Sequence, residues 1–173
     1  MKQSTCETCL PTCLIFLLKN LGIKIGKSEE MNILIKGLKF TRIDYAVGQL
    51  AYIVRRYKVN ATLYVEFKEF FNQLRKLPIL PKLTLINKKV DVNLLKKLLK
   101  AGYAIVYLDQ FFIGYAYHYP HFVVLLEFKN SSAKIFDPWD GKEKKVTKSE
   151  ISKGIQSLRN KWKISPKAIQ VFL

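Results

Sequence analysis

A cysteine, a histidine and an aspartate in this chain are spaced as acyl-transfer chemistry would need them. Cys9 lies two residues before Pro11, at the start of a segment that reads as a helix. A thiol there faces the positive end of the helix dipole and its unpaired N–H groups. Both favour the thiolate, which is the nucleophilic form. The same N–H groups can hold a developing oxyanion. Gln3, six residues before Cys9, can supply its side-chain amide as a second donor if the intervening turn folds back. In the second half His121 opens a strongly apolar strand. Asp137 follows sixteen residues later, at the head of Asp137-Pro138-Trp139-Asp140-Gly141. A hairpin between them would set the two side by side, the aspartate holding one imidazole nitrogen while the other faces a thiol.

The same residues allow other readings. His118 competes with His121 as the base, at a spacing of nineteen from Asp137. Asp137 before Pro138 is also a plain turn signal. Cys6, Cys9 and Cys13 with a histidine would be enough ligands for zinc or an iron–sulfur cluster. Structural zinc sites, however, draw ligands from two separated clusters, and both histidines here lie far downstream. No metal and no cofactor is therefore expected. Cys6 and Cys13 read as bystanders and Trp139 as a packing residue.

The elements that must position these residues follow from periodicity. Leu14, Leu17, Leu18 and Leu21 share one helix face, with Pro11 suited to its first turn and Gly22 to its end. A second helix is expected after Ser28. Thr41 with Asp44 resembles a capping box opening a helix over 43–57. A strand is expected over 61–66 and an amphipathic helix over 67–77, while 79–87 is ambiguous. Asp91 caps a helix that ends before Gly102. Strands follow over 103–108, 121–128 and 134–136, with a turn at 129–133. Asp140-Gly141 turns into another strand over 143–146, and a helix from Ser149 and a strand over 168–172 finish the chain. Helices first and an antiparallel sheet after give an α+β order.

The 173 residues are one domain's worth, 49% hydrophobic and 25% charged, with no repeats and no linker. The net charge is +17, which attracts anionic partners such as nucleic acid, an anionic membrane or an acidic peptide. No helix-turn-helix, zinc-finger, RNP or KH signature is present, so nucleic acid is not the expected partner. Three cysteines clustered within residues 6–13 argue against a disulfide framework and for a reducing compartment. No transmembrane segment and no signal peptide is read, so a cytoplasmic location is expected, with peripheral association to a membrane or a transporter left open.

On these motifs the chain resembles the C39 peptidases, papain-like domains that remove leader peptides after a double-glycine motif. The family's first motif is a Gln, five residues, then a Cys opening a helix, which here is Gln3 to Cys9 within Gln3-Ser4-Thr5-Cys6-Glu7-Thr8-Cys9. Its second is a His leading an apolar strand with an Asp-Pro about sixteen residues on, which here is His121-Phe122-Val123-Val124 and Asp137-Pro138. The resemblance implies an α+β papain-like fold over residues 1–173, a helical N-terminal half packed on a C-terminal antiparallel sheet. It implies a cysteine peptidase acting on a peptide or protein. Cys9 would be the nucleophile, His121 the general base and acid, and Asp137 its orienting partner. Gln3 and the Cys9 N–H would form the oxyanion hole. An acidic leader peptide would suit the basic surface. A papain-like domain that binds a peptide without cutting it is the competing function. Two positions depart from the pattern: Leu10 stands where Gly is usual and Thr8 where an acid is common. Leu10 is expected to crowd the approach of a Gly-Gly substrate. The family's transporter domains are absent, which implies a stand-alone or C39-like peptidase.

Overall fold

The computed structural model describes residues 1–173 except Arg42 and Ile79. Helix α1, Cys9–Asn20, buries Leu14, Leu17 and Leu18 of the expected face, while Leu21 is its half-buried C-cap. It stops at Leu21-Gly22, where φ of +80° suits glycine. Helix α2, Glu29–Phe40, follows Ser28, and α3 spans Tyr45–Tyr57. The cap of α3 differs from expectation. Asp44, not Thr41, is its N-cap and accepts the Val47 N–H at 3.0 Å. Thr41 ends α2 instead, and its hydroxyl accepts the Ile43 N–H at 3.0 Å. Aspartate is itself a strong N-cap, and Asp44 lies directly before the first helical turn. Helices α2 and α3 cross closely, since a Cβ on Gly48 would stand 2.1 Å from the Gly37 carbonyl oxygen.

The remaining elements in order are β1 (Asn60–Val65), α4 (Lys68–Leu74), β2 (Leu83–Asn87), α5 (Val92–Leu99) and β3 (Ala104–Asp109). A 3₁₀ turn, Gln110–Ile113, leads on to β4 (Pro120–Lys129), β5 (Ser132–Asp137), β6 (Lys142–Thr147) and α6 (Lys148–Ser157). A π-helical turn, Leu158–Trp162, and β7 (Lys167–Phe172) complete the chain. The Asp91 cap is in place, accepting the Leu94 N–H at 2.9 Å. The cap of α6 is a full capping box between Thr147 and Glu150.

Among the described residues seven strands form one sheet in the order β2-β1-β7-β3-β4-β5-β6. The chain therefore has an α+β fold, but the sheet is not drawn from the second half alone. Strands β1 and β2 leave the helical half to form one edge and pair in parallel, while every other pairing is antiparallel. The α4 crossover between them makes parallel pairing geometrically available. The ambiguous 79–87 segment supplies β2, and Ile79 lies outside the described residues. Alternation along the strands sorts the core into two layers. Ile105 and Tyr107 of β3 and Phe122 and Val124 of β4 pack with α1, α2 and α3. Val106, Leu108, Val123 and Leu125 face α5 and α6 on the other side.

The β4–β5 hairpin carries one irregularity that matters for the site. Its turn is Asn130-Ser131, with Asn130 at φ +51°, and beyond it the register runs Lys129↔Ser132, Phe128↔Ala133, Glu127↔Lys134. A bulge at Leu126 then shifts the pairing to Leu125↔Ile135 and Val124↔Phe136. One step further, Asp137 stands across from Val123, and His121 is its diagonal neighbour on the same face. Were the same residues paired without the bulge, Asp137 would oppose Val124 and lie on the opposite face from His121.

Candidate active site

Cys9 is the first residue of α1. Thr8 precedes it as the N-cap, but no side chain caps the helix. The Thr8 hydroxyl is engaged in the preceding turn, donating to Thr5 O at 2.9 Å and accepting the Thr5 N–H at 3.0 Å. The helix ladder begins at Thr12 N–H to Thr8 O, 3.0 Å, and Pro11 has no N–H. The backbone N–H groups of Cys9 and Leu10 thus have no partner inside the helix. No acidic residue in the first turn neutralises the dipole there.

His121 opens the core of β4 and Asp137 closes β5, so the antiparallel pairing brings them to one end of the sheet. Asp137 Oδ1 accepts from His121 Nε2 at 2.9 Å. That leaves Nδ1 for a second partner, and Cys9 lies close enough to raise the pKa of the ring. Burial alone would lower the pKa of His121. The bond to Asp137 and the contact with Cys9 outweigh it and raise the pKa to about 9. Burial would likewise raise Asp137, yet the bonds from His121, Lys144 and Tyr115 hold it well below the usual carboxylate range.

The carboxylate is held at both oxygens. Oδ1 also accepts the Trp139 N–H at 3.0 Å, while Oδ2 accepts the Tyr115 hydroxyl and Lys144 Nζ, each at 2.7 Å. Lys144 in turn donates to the Tyr115 oxygen at 2.9 Å and bridges to Asp140 Oδ2 at 3.1 Å. Neither Tyr115 nor Lys144 stood out in the sequence. The one available signal was Lys144 at i+4 from Asp140 on the strand after the Asp140-Gly141 turn, a common pattern in so basic a chain.

Gln3 is buried against the same turn. Its backbone N–H donates to Pro138 O at 2.7 Å, and its Nε2 donates to Thr5 O at 2.7 Å. A glutamine Nε2 carries two N–H groups, so one remains free. Gln3 Oε1 is buried without a partner. The adjoining arm is tied down through Glu30, whose Oε1 accepts the Ser4 N–H at 2.8 Å and the Thr12 hydroxyl at 3.2 Å.

Other sequence readings sort differently. His118 does not reach Asp137; its Nδ1 is 2.7 Å from Asp109 Oδ2. Cys13 is fully buried and donates to Phe122 O at 3.5 Å, and burial, with Cys9 and Asp137 nearby, pushes its thiol pKa up. Cys6 is exposed. Among the described residues no three His, Cys, Asp or Glu side chains come together as a metal site. Leu10 does not crowd the cleft: it is 0% exposed and packs in the core on the inner side of α1. The expectation failed because adjacent helical residues point about 100° apart, so the neighbour of Cys9, which lines the cleft, can face the core. Trp139 is about one-third exposed and lies edge-on to Tyr115, with ring centroids 6.4 Å apart. No helix among the described residues is long and apolar enough to cross a membrane.

The fold has a counterpart among solved structures. The chain is similar over 100% of its length, and over 92% of the other chain, to the crystal structure of a Bacillus anthracis protein designated a C39-like peptidase. The TM-score is 0.60 at 14% sequence identity, a likeness of fold. No family model matches the sequence, and no curated protein does.

Proposed function

We propose that the chain is a cysteine peptidase that cuts a peptide or protein substrate through Cys9. The observation that carries this reading is one buried imidazole, His121, set between a buried carboxylate and a thiol at a helix N-terminus. The raised pKa of about 9 keeps the ring of His121 protonated at neutral pH, beside the Cys9 sulfur that acts as the nucleophile. Sγ forms a bond to the scissile carbonyl carbon, and charge gathers on the oxygen. The Cys9 N–H and the free Nε2–H of Gln3 are the donors for that oxyanion. The C–N bond breaks as His121 passes its proton to the leaving amine. Water then attacks the acyl-enzyme, gives its proton to His121 and releases the acid. Asp137 keeps Nε2 occupied so that Nδ1 faces the reaction throughout.

The test is labelling of the intact protein with an iodoacetamide probe across pH, with the modified cysteine located by mass spectrometry. Cys9 is expected to react ahead of the exposed Cys6 at mildly acidic pH, and His121→Ala is expected to remove that advantage. Equal reactivity of Cys6 and Cys9, unchanged by His121→Ala, would overturn the reading in favour of a domain that binds peptides without cutting them.

A further inference from the structure

We infer that the subsite beside Cys9 takes a bulky apolar side chain, aromatic or leucine-sized, from within about two residues of the bond that is cut. The inference rests on the peptidase reading and names its substrate class. A pocket of about 400 Å³ opens onto the thiol, walled by Leu34, Leu38, Tyr45, Tyr107 and Trp162 together with Cys9 itself. A cavity of roughly 150 Å³ already suffices to bind benzene. The space beside Cys9 therefore holds a ring with room left for the peptide backbone. A substrate with only glycines at this point would leave the pocket unfilled.

Its charge differs from that of the rest of the molecule. The protein carries +17, yet among the described residues no lysine or arginine lines this pocket, and the charged residue that does is Glu7. An acidic side chain would meet repulsion from Glu7 there.

The walls are held in place, so the pocket exists before the substrate arrives. Tyr107 stacks on Phe122 with centroids 4.1 Å apart, Tyr45 meets Phe122 edge-on at 6.2 Å, and the two tyrosine hydroxyls lie 3.5 Å apart. The opposite wall hangs on buried Asp109. Its Oδ2 accepts the Trp162 indole N–H at 3.4 Å, and its Oδ1 accepts the backbone N–H of Tyr119, which also lines the pocket. From the mouth, Leu38 at 48% exposure and Ile35 at 46% continue the apolar surface along α2.

The experiment is digestion of a complex peptide mixture by the wild-type protein, with sequencing of the cut ends. One position within two residues of the cut is expected to be enriched in Phe, Tyr, Leu or Met over Gly and Asp by ten-fold or more, the scale of discrimination roughly expected of hydrophobic pockets. Leu38→Glu, at an exposed site outside the core, is expected to abolish that enrichment. Cutting with Gly favoured at both positions flanking the bond, or with no side-chain preference, would overturn the inference and leave the peptidase reading standing. An absence of cutting, together with an unreactive Cys9, would remove the peptidase reading and this subsite with it.

Discussion

His118 and His121 stand three residues apart, and each bonds a fully buried aspartate. Their distances are nearly equal, 2.7 Å to Asp109 and 2.9 Å to Asp137. The surroundings divide them. His121 has a side chain 3% exposed with a cysteine beside its ring, whereas that of His118 is 32% exposed and stacks on Phe111 at 4.2 Å. Asp109 spends its oxygens on Ser157, Trp162 and the N–H groups of Phe111 and Tyr119, which fastens the loop between β3 and β4. Asp137 spends its oxygens around one imidazole, backed by Lys144 and Tyr115. A histidine–aspartate bond by itself is thus a fastening as readily as a part of an active site. What differs is the cysteine beside the His121 ring.

The largest effect should come from exchanging the two histidines for alanine. His121→Ala is expected to lower kcat/KM by on the order of 10⁴-fold or more. His118→Ala should leave it within about ten-fold, because that ring holds a loop and touches no reacting atom. Comparable losses from both would erase the distinction. The aspartates should separate by kind of damage. Asp137→Asn is expected to cost on the order of 10⁴-fold in kcat by disturbing the tautomer and orientation of His121. Asp109→Asn is expected to show chiefly as lost stability, about 1–3 kcal/mol in urea unfolding, because several buried donors lose their acceptor.

A smaller effect concerns pH. The raised pKa of His121 means the folded state binds the ring proton more tightly than the unfolded chain does. Its contribution to stability is full below about 6.5 and is lost as pH rises through about 9. Asp137 acts in the opposite sense, stabilising above its ordinary value near 4 and losing that contribution as pH falls through its depressed folded value. Removing the cation in Lys144→Met should raise the affinity of both groups for protons. The alkaline limb of the rate profile is expected to move up by less than about one unit, and acid unfolding to begin at higher pH. An unmoved pair of limbs would mean that Lys144 only packs against Tyr115.

Much of this arrangement was legible in the chain. Cys9 with Pro11, the apolar strand from His121 and the Asp-Pro turn are local patterns, and local geometry carries them into the fold. Asp91 and Gly22 read correctly for the same reason, since a cap or a helix stop is decided within a few residues. What stayed hidden depends on pairing at a distance. Strand β2 has a weak pattern of its own and is defined by lying beside β1. Tyr115 and Lys144 are one of nine tyrosines and one of thirty basic residues, and only the fold singles them out. Leu10 misled because its neighbour in sequence faces the cleft while it faces the core.

The bulge at Leu126 gives the sixteen-residue interval a meaning that a ruler would miss. In a paired hairpin the count between two residues fixes which side of the sheet each occupies, so the interval records a parity as much as a length. Deleting Lys134 with the bulge kept would leave Cys9, His121, Asp137 and Gln3 in the chain and the turn at Asn130-Ser131 unchanged, yet set Asp137 across from Val124 so that the carboxylate faces away from the imidazole. Changes of two residues within the strands would restore the side while changing the reach. The hairpin can therefore vary freely in its side chains and its loop tip, but its strand segments are constrained in their arithmetic. In this protein the site can be disarmed by an edit that touches none of its members.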